Sequence, residues 1–184
     1  MKIMIASDIH GSVSDCQQLL AAMDREQADK LLLLGDLLYH GPRNPLPETY
    51  DPKAVAALLN ARKQQLLCVR GNCDGEVDQM MLEFPILADY CILSAGKRMI
   101  FATHGHHFNQ TQLPMLQQGD VLLHGHTHIA ALEDCGAYIY ANPGSVTFPK
   151  QNSIRGYLLL EDGVLTLKSL TGEVVSQLVL TESM

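Results

Sequence analysis

Short apolar runs recur along the chain, each closed by a polar or glycine-containing step: residues 2 to 6, Leu31 to Leu34, Leu66 to Val69, Met99 to Ala102 and Val121 to Leu123. Runs of this length without alternation suit strands covered on both faces better than helices. Stretches of helical period separate the first three. Ser12 or Ser14 can cap a helix through Arg25 that gathers Leu19, Leu20 and Met23 on one face, and Pro52 can open a second through Lys63. The resulting β-α-β-α-β order predicts a mostly parallel sheet with right-handed crossovers. In the second half, Ala137 to Ala141, Tyr157 to Glu161 and Val164 to Leu170 read as strands, and Glu161-Asp162-Gly163 as a hairpin turn, so these strands are expected to be antiparallel neighbours. Tyr39 to Asp51, with Pro42, Pro45, Pro47 and the following Pro52, reads as a long surface loop of the kind that carries function.

With 184 residues, 47% of them apolar, and no internal repeat, the chain predicts one domain over 1–184. A formal charge of -7 with scattered basic residues argues against binding a nucleic-acid polymer, although a short nucleotide remains compatible with a locally positive centre. The first apolar run ends at Asp8, before a signal-peptide core is complete, and no later stretch is long enough to span a bilayer, so a cytoplasmic protein without membrane attachment is expected. Cys16, Cys68, Cys73, Cys91 and Cys135 are odd in number and contain no Cys-x-x-Cys pair, which fits reduced thiols.

The steps that close the apolar runs are of one chemical kind: Asp8-Ile9-His10, Gly35-Asp36, Gly71-Asn72-Cys73-Asp74, His104-Gly105-His106 and Gly125-His126-Thr127-His128. In an open α/β sheet the strand C-termini line the functional crevice, so the five clusters should converge. In extended backbone, residues two apart point to one side, so Asp8 with His10, and His126 with His128, could each reach one ion. Glycines 35, 71 and 125 permit sharp turns and close backbone approach. Taken singly, each cluster has a plainer reading as a turn, a cap or a core histidine. Jointly, they make a carboxylate, imidazole and amide-oxygen set suited to Mn²⁺, Fe, Zn²⁺ or Ni²⁺, and large enough for two ions sharing a carboxylate.

In order and spacing, across residues 8 to 128, these clusters resemble the calcineurin-like metallophosphoesterases, with the pattern D-x-H, G-D, G-N-H-D/E, H and G-H-x-H. Val69-Arg70-Gly71-Asn72-Cys73-Asp74 and Asn142-Pro143-Gly144-Ser145 point to the small bacterial and archaeal branch. The resemblance implies an α/β fold, a four-layer αββα sandwich of mixed sheets flanked by helices. It places Asp8, His10, Asp36 and His128 on one metal, and Asp36, Asn72, His104 and His126 on a second. A departure stands at Cys73, where the family has a histidine that protonates the leaving group and is oriented by the next acid, here Asp74. Cys73 reads equally well as a small buried filler. His40, His106 and His107 have no assigned part, and Asn142-Pro143-Gly144 reads first as a turn bordering the site.

Ligand set and resemblance together imply a metal-dependent phosphodiesterase in which a hydroxide bridging two divalent ions, most simply Mn²⁺, attacks phosphorus in line. Asp36, Asn72, Cys73 and Asp74 are the candidate catalytic residues, and a small phosphodiester is the expected partner, with homo-oligomerisation left open. Two divalent ions, the Asp8 and Asp36 carboxylates and one hydroxide leave a single positive charge, which a phosphodiester would neutralise. Two alternatives stay open: a phosphomonoesterase of the same fold, and a non-catalytic interaction scaffold like the retromer scaffold subunit. A protein Ser/Thr phosphatase is disfavoured, because Asp36 is followed by Leu37-Leu38-Tyr39-His40-Gly41 instead of the Asp-Arg-Gly step of that branch.

Overall fold

The computed structural model describes residues 1–180. The expected β-α-β-α-β start forms as β1 (Ile3–Ala6), α1 (Val13–Glu26), β2 (Lys30–Leu33), α2 (Pro52–Asn60) and β3 (Leu66–Cys68). Pro52 sits in the first turn of α2 with Asp51 as its cap, the carboxylate accepting from the Ala54 amide at 3.0 Å. The helix closes at Asn60, short of the expected end at Lys63, because a 3-10 turn over Lys63–Gln65 leads the chain into β3. Ser12 occupies the cap position of α1 but leaves the helix amides alone, since its hydroxyl donates to Asp15 at 2.6 Å.

A short helix α3 (Glu76–Met81) follows, then β4 (Tyr90–Ala95), β5 (Arg98–Thr103), β6 (Val121–Leu123), β7 (Ala131–Asp134), β8 (Ile139–Asn142), β9 (Gly156–Glu161), β10 (Val164–Ser169) and β11 (Val174–Val179). Two sheets result, ordered β11-β10-β9-β1-β2-β3 and β4-β5-β6-β8-β7. Both are mixed. The expectation of a mostly parallel sheet holds for β1, β2 and β3, whereas β9, β10 and β11 continue that sheet antiparallel. The hairpin at Asp162 joins β9 to β10 as expected, but the strand at Ile139–Asn142 is no neighbour of theirs: it lies in the second sheet, parallel to β6. The tight turn at Asp162-Gly163 specifies β9 with β10 locally, while nothing local to residues 137 to 141 specifies the sheet.

The continuous apolar runs are explained by cover on both faces. In β1, Met4 and Ala6 face the helices, and Ile3 and Ile5 face the second sheet; all four are buried. Between the sheets, Ile5, Leu32, Ile100, Leu123 and Leu158 belong to one apolar layer. Helices flank the first sheet. On the outer face of the second, the aromatic layer of Phe101, Leu122 and Tyr140 is covered by Phe108 and Leu116, which lie on irregular chain. Gly105, Pro114 and Gly119 break that segment, and the Asn109 side chain accepts from the Thr111 and Gln112 amides at 2.9 and 3.0 Å, a turn that competes with helix. No helix of the described residues is long and apolar enough to cross a membrane.

Because the inter-sheet layer fixes the relative position of β1, β2, β5 and β6, a cavity there should loosen both sheets. Leu123→Ala is expected to cost about 2–5 kcal/mol, read as a lower midpoint in chemical denaturation.

Candidate metal centre

The loops that leave β1, β2, β3, β5 and β6 meet at one edge of the sandwich, and they carry all seven predicted ligands. Asp8, His10, Asp36, His104 and His128 are buried, His126 is half-buried and Asn72 is exposed, so the group opens from a closed floor toward solvent. The residues two apart are brought together, but not by extended backbone. Asp8, His10, Asp36, His126 and His128 all adopt left-handed conformations, with φ of 62, 51, 56, 63 and 63°. Such backbone is uncommon outside glycine and costs on the order of 1–3 kcal/mol per residue, and it clusters at functional sites. Two close approaches require glycine: a Cβ on Gly71 would lie 2.1 Å from Asp36 Oδ1, and one on Gly125 would lie 2.0 Å from Ser7 Oγ.

Hydrogen bonds at the far side of each ring fix what the near side offers. His10 Nδ1 is 2.9 Å from the Tyr39 carbonyl, His104 Nδ1 2.7 Å from that of Leu34, and His128 Nδ1 2.8 Å from that of Phe148. A carbonyl only accepts, so each Nδ1 carries the proton and each Nε2 presents a lone pair. Those lone pairs face other acceptors. His10 Nε2 is 3.3 Å from His128 Nε2, and His104 Nε2 is 3.0 Å from Asn72 Oδ1; His126 Nδ1, 3.2 Å from His104 Nε2, has no carbonyl that fixes its tautomer and can donate or accept. Asp8 Oδ1, 3.2 Å from His128 Nε2 and 3.5 Å from His10 Nε2, is buried with no hydrogen-bond donor. Asp36 Oδ2 lies between the two halves, 3.8 Å from His10 Nε2 and 3.5 Å from His104 Nε2. Acceptors converging without donors repel one another, and cations are the complement they lack. The donor set therefore fits divalent metal ions. Ligand atoms of Asp8, His10 and His128, and likewise of Asp8, Asp36 and His104, lie mutually within 4.8 Å.

Without cations, protons can take their place: burial alone would raise the Asp8 carboxyl, yet His10 and His128 rings that carry an Nε2 proton hold it well below the usual carboxylate value. Burial alone would lower His10, and Asp8 more than offsets it, so that ring is raised. Burial and the neighbouring His104 lower His106 to about 4, and its Nδ1 is buried without a partner, yet the ring stacks on His107 outside the converging set.

Asp74 lies behind the ligands, whereas the Cys73 sulfur lies within 4.8 Å of ligand atoms of His10 and Asp36. The Asp74 carboxylate accepts from the Asp36 and Gly71 amides at 2.8 Å and from the Leu37 amide at 2.9 Å, tying the β2 and β3 loops together. Burial, then the charge of Asp36, pushes its pKa up to about 6. Cys73 donates its amide to Asp36 Oδ1 at 2.8 Å, and its sulfur receives the Asn72 amide group at 3.2 Å. Burial and the Asp36 carboxylate push its thiol far above the ordinary range.

The Asp8 and Gly125 loops are held by the Asn142-Pro143-Gly144-Ser145 turn expected to border the site, together with Thr147, which the sequence pattern does not single out. Ser145 Oγ donates to the Asp8 carbonyl at 2.9 Å, Thr147 Oγ1 to the Ile9 carbonyl at 2.8 Å, and Asn142 Nδ2 to the Gly125 carbonyl at 3.0 Å. Asn142-Pro143-Gly144-Ser145 thus braces the site from beneath. Its partners are backbone carbonyls of distant loops, which leave no mark in local sequence.

A sequence model of the calcineurin-like phosphoesterase superfamily domain matches residues 1–162. The chain is 45% identical over 175 residues to the phosphodiesterase YfcE of Escherichia coli K12, covering 95% of each. It is 30% identical over 177 residues to a probable metallophosphoesterase, YsnB, of Bacillus subtilis, covering 91% of this chain and 89% of that one. A solved structure of E. coli YfcE superposes with a TM-score of 0.94 at 43% identity, over 98% of this chain and 100% of the other. Vps29 of Entamoeba histolytica, solved with zinc, shares the fold at a TM-score of 0.61 and 21% identity, over 98% and 100% of the two chains.

An amide in place of the Asp74 carboxylate would turn an NH₂ group toward at least one backbone N–H. Asp74→Asn should therefore cost about 1–3 kcal/mol, seen as a lower Tm together with weaker metal retention on dialysis.

Proposed function

The chain belongs to the calcineurin-like phosphoesterase superfamily, and from that premise we propose that it is a metal-dependent phosphodiesterase acting on small phosphodiesters. The observation that carries the reading is the convergence of unprotonated acceptors on both sides of Asp36 Oδ2. It supports two ions: Asp8, His10, Asp36 and His128 would hold one, and Asp36, Asn72, His104 and His126 the other. The mixed oxygen and nitrogen donors suit Mn²⁺, with Fe, Zn²⁺ and Ni²⁺ as alternatives. Bound there, the cations supply Lewis acidity toward a phosphoryl oxygen and toward water.

The residues of the chain do the rest. Carbonyl bonds from Tyr39, Leu34 and Phe148 hold three imidazoles in one tautomer and one orientation, so little reorganisation is needed when charge develops. Asn72, exposed at the mouth, is placed to orient an incoming ester. The Cys73 thiol, kept protonated by burial and neighbouring carboxylates, is a poor proton donor at neutral pH. Asp74 acts as the brace of the Asp36 and Asn72 loops. The formal charge of -7 and scattered basic residues agree with a small substrate in preference to a nucleic-acid polymer.

Mn²⁺-dependent release of p-nitrophenolate from bis(p-nitrophenyl) phosphate, compared with the monoester, tests the activity: faster hydrolysis of the monoester would overturn the diesterase reading, and no hydrolysis of either would favour a scaffold. Asp36→Asn should lose more activity than Asn72→Ala, since the carboxylate serves both halves of the centre; equal residual activity at equal metal content contradicts Asp36 as the shared ligand. Cys73→His would introduce a proton donor at neutral pH, a contribution of about 10² to 10⁴ in rate for leaving groups that need one. The kcat/KM ratio of a 2′,3′-cyclic nucleotide to an aryl diester should therefore rise in that variant, and an unchanged or lower ratio would mean that another group already supplies the proton or that residue 73 lies out of reach of the leaving oxygen.

A further inference from the structure

The metal-centre residues floor a cavity of about 390 Å³, whose rim is built by Arg43, Asn44, Thr127 and Lys150. That volume exceeds what a lone phosphodiester group fills and stands at the small end of ligand pockets, of about 300–1,000 Å³. One carboxylate, Asp36, lines it. The rim cations are not incidental. Among the described residues, nearly every other basic side chain is engaged: Lys2, Arg62, Lys63, Arg155 and Lys168 in ion pairs, and Arg25, Lys30, Arg70 and Arg98 on backbone carbonyls. Arg43, Lys53, Lys97 and Lys150 make no such bond among those residues, and two of these four border this one cavity.

Both rim residues are held by backbone that touches the centre. The Lys150 amide donates to the His128 carbonyl at 3.0 Å, and Phe148, two residues earlier, orients the His128 ring. Arg43 sits in a turn closed by the Asn44 side-chain amide on the His40 carbonyl at 2.9 Å, beside Gly41 at φ 81°. The main chain is thus fixed while the long side chains stay free to meet a ligand. In a protein of charge -7 the far field repels anions, and two unpaired cations at the mouth reverse this locally. Two divalent ions held by the floor would already meet the single negative charge of a phosphodiester. The rim charge is surplus to that need.

Resting on the phosphodiesterase reading, we propose that Arg43 and Lys150 select phosphodiesters that bear a second anionic group on one arm, a phosphate or a carboxylate. Arg43 can grip either through paired N–H donors, and Lys150 acts as a point charge.

The test uses three p-nitrophenyl diesters with the same leaving group, whose other arm is ethyl, 2-carboxyethyl or 2-phosphonooxyethyl, hydrolysed by metal-loaded protein. Exposed charge contacts support a preference in kcat/KM of about three- to tenfold for the charged arms, expressed in KM and shrinking as salt is raised. Arg43→Gln and Lys150→Gln should each reduce that ratio and the double variant should bring it near one, whereas Lys97→Gln should leave it as in wild type. If only the phosphate arm is preferred, or only the carboxylate arm, that source is the second anion. A wild-type ratio near one, or a ratio unmoved in the double variant, overturns the proposal. No release of p-nitrophenolate from any of the three would instead overturn the phosphodiesterase reading on which it rests.

Discussion

Lone pairs held against lone pairs, with no donor between them, are the constraint around which the molecule is organised. His10 and His128 present Nε2 atoms 3.3 Å apart, and His104 Nε2 faces Asn72 Oδ1 at 3.0 Å. Left alone, such an arrangement would relax by rotating the rings. Three carbonyls, two from the loop after β2 and one from the segment after β8, prevent it by taking the Nδ1 protons. The left-handed backbone at five ligands is a further cost. Rigid cover supplies the offset: β1, β2 and β6, which feed these loops, are buried on both faces, and the 142–148 segment bonds directly to the carbonyls of the Asp8 and Gly125 loops.

Much of this was legible in the sequence, for reasons that differ by element. The apolar runs of β1, β2, β5 and β6 stand out because both faces are largely buried, that of β3 stands out although Leu67 is exposed at the sheet edge, and the polar steps that end them announce the site. The edge strands β4 and β11 are harder: they are exposed or only partly buried along most of their length, with Tyr90, Ile92, Val174 and Val179 exposed, so burial leaves no continuous apolar run. The sheet assignment of β8 depends on its pairing with β6, a partner that no local pattern identifies. At the site, the residues that converge could be read, but the backbone that brings them together could not. The i, i+2 pairs converge through αL turns, and the role of Asp74 as a brace across two loops emerges only when the Asp36, Leu37 and Gly71 amides are seen around it.

The division of labour that results is specific. The floor of the cavity complements cations and through them one phosphoryl charge, while the rim carries two free cations that meet whatever the ester bears beyond it. Cys73 sits between the two, bonded through its amide to Asp36 and through its sulfur to Asn72, where it fills space without supplying an acid.

If the acceptors around Asp36 exist to hold two cations, anomalous diffraction from crystals grown with Mn²⁺ tests it most directly. Two peaks on opposite sides of Asp36 Oδ2, one among Asp8, His10 and His128 and one among Asn72, His104 and His126, are the expected result. A single peak, or none at this edge of the sandwich, would contradict it.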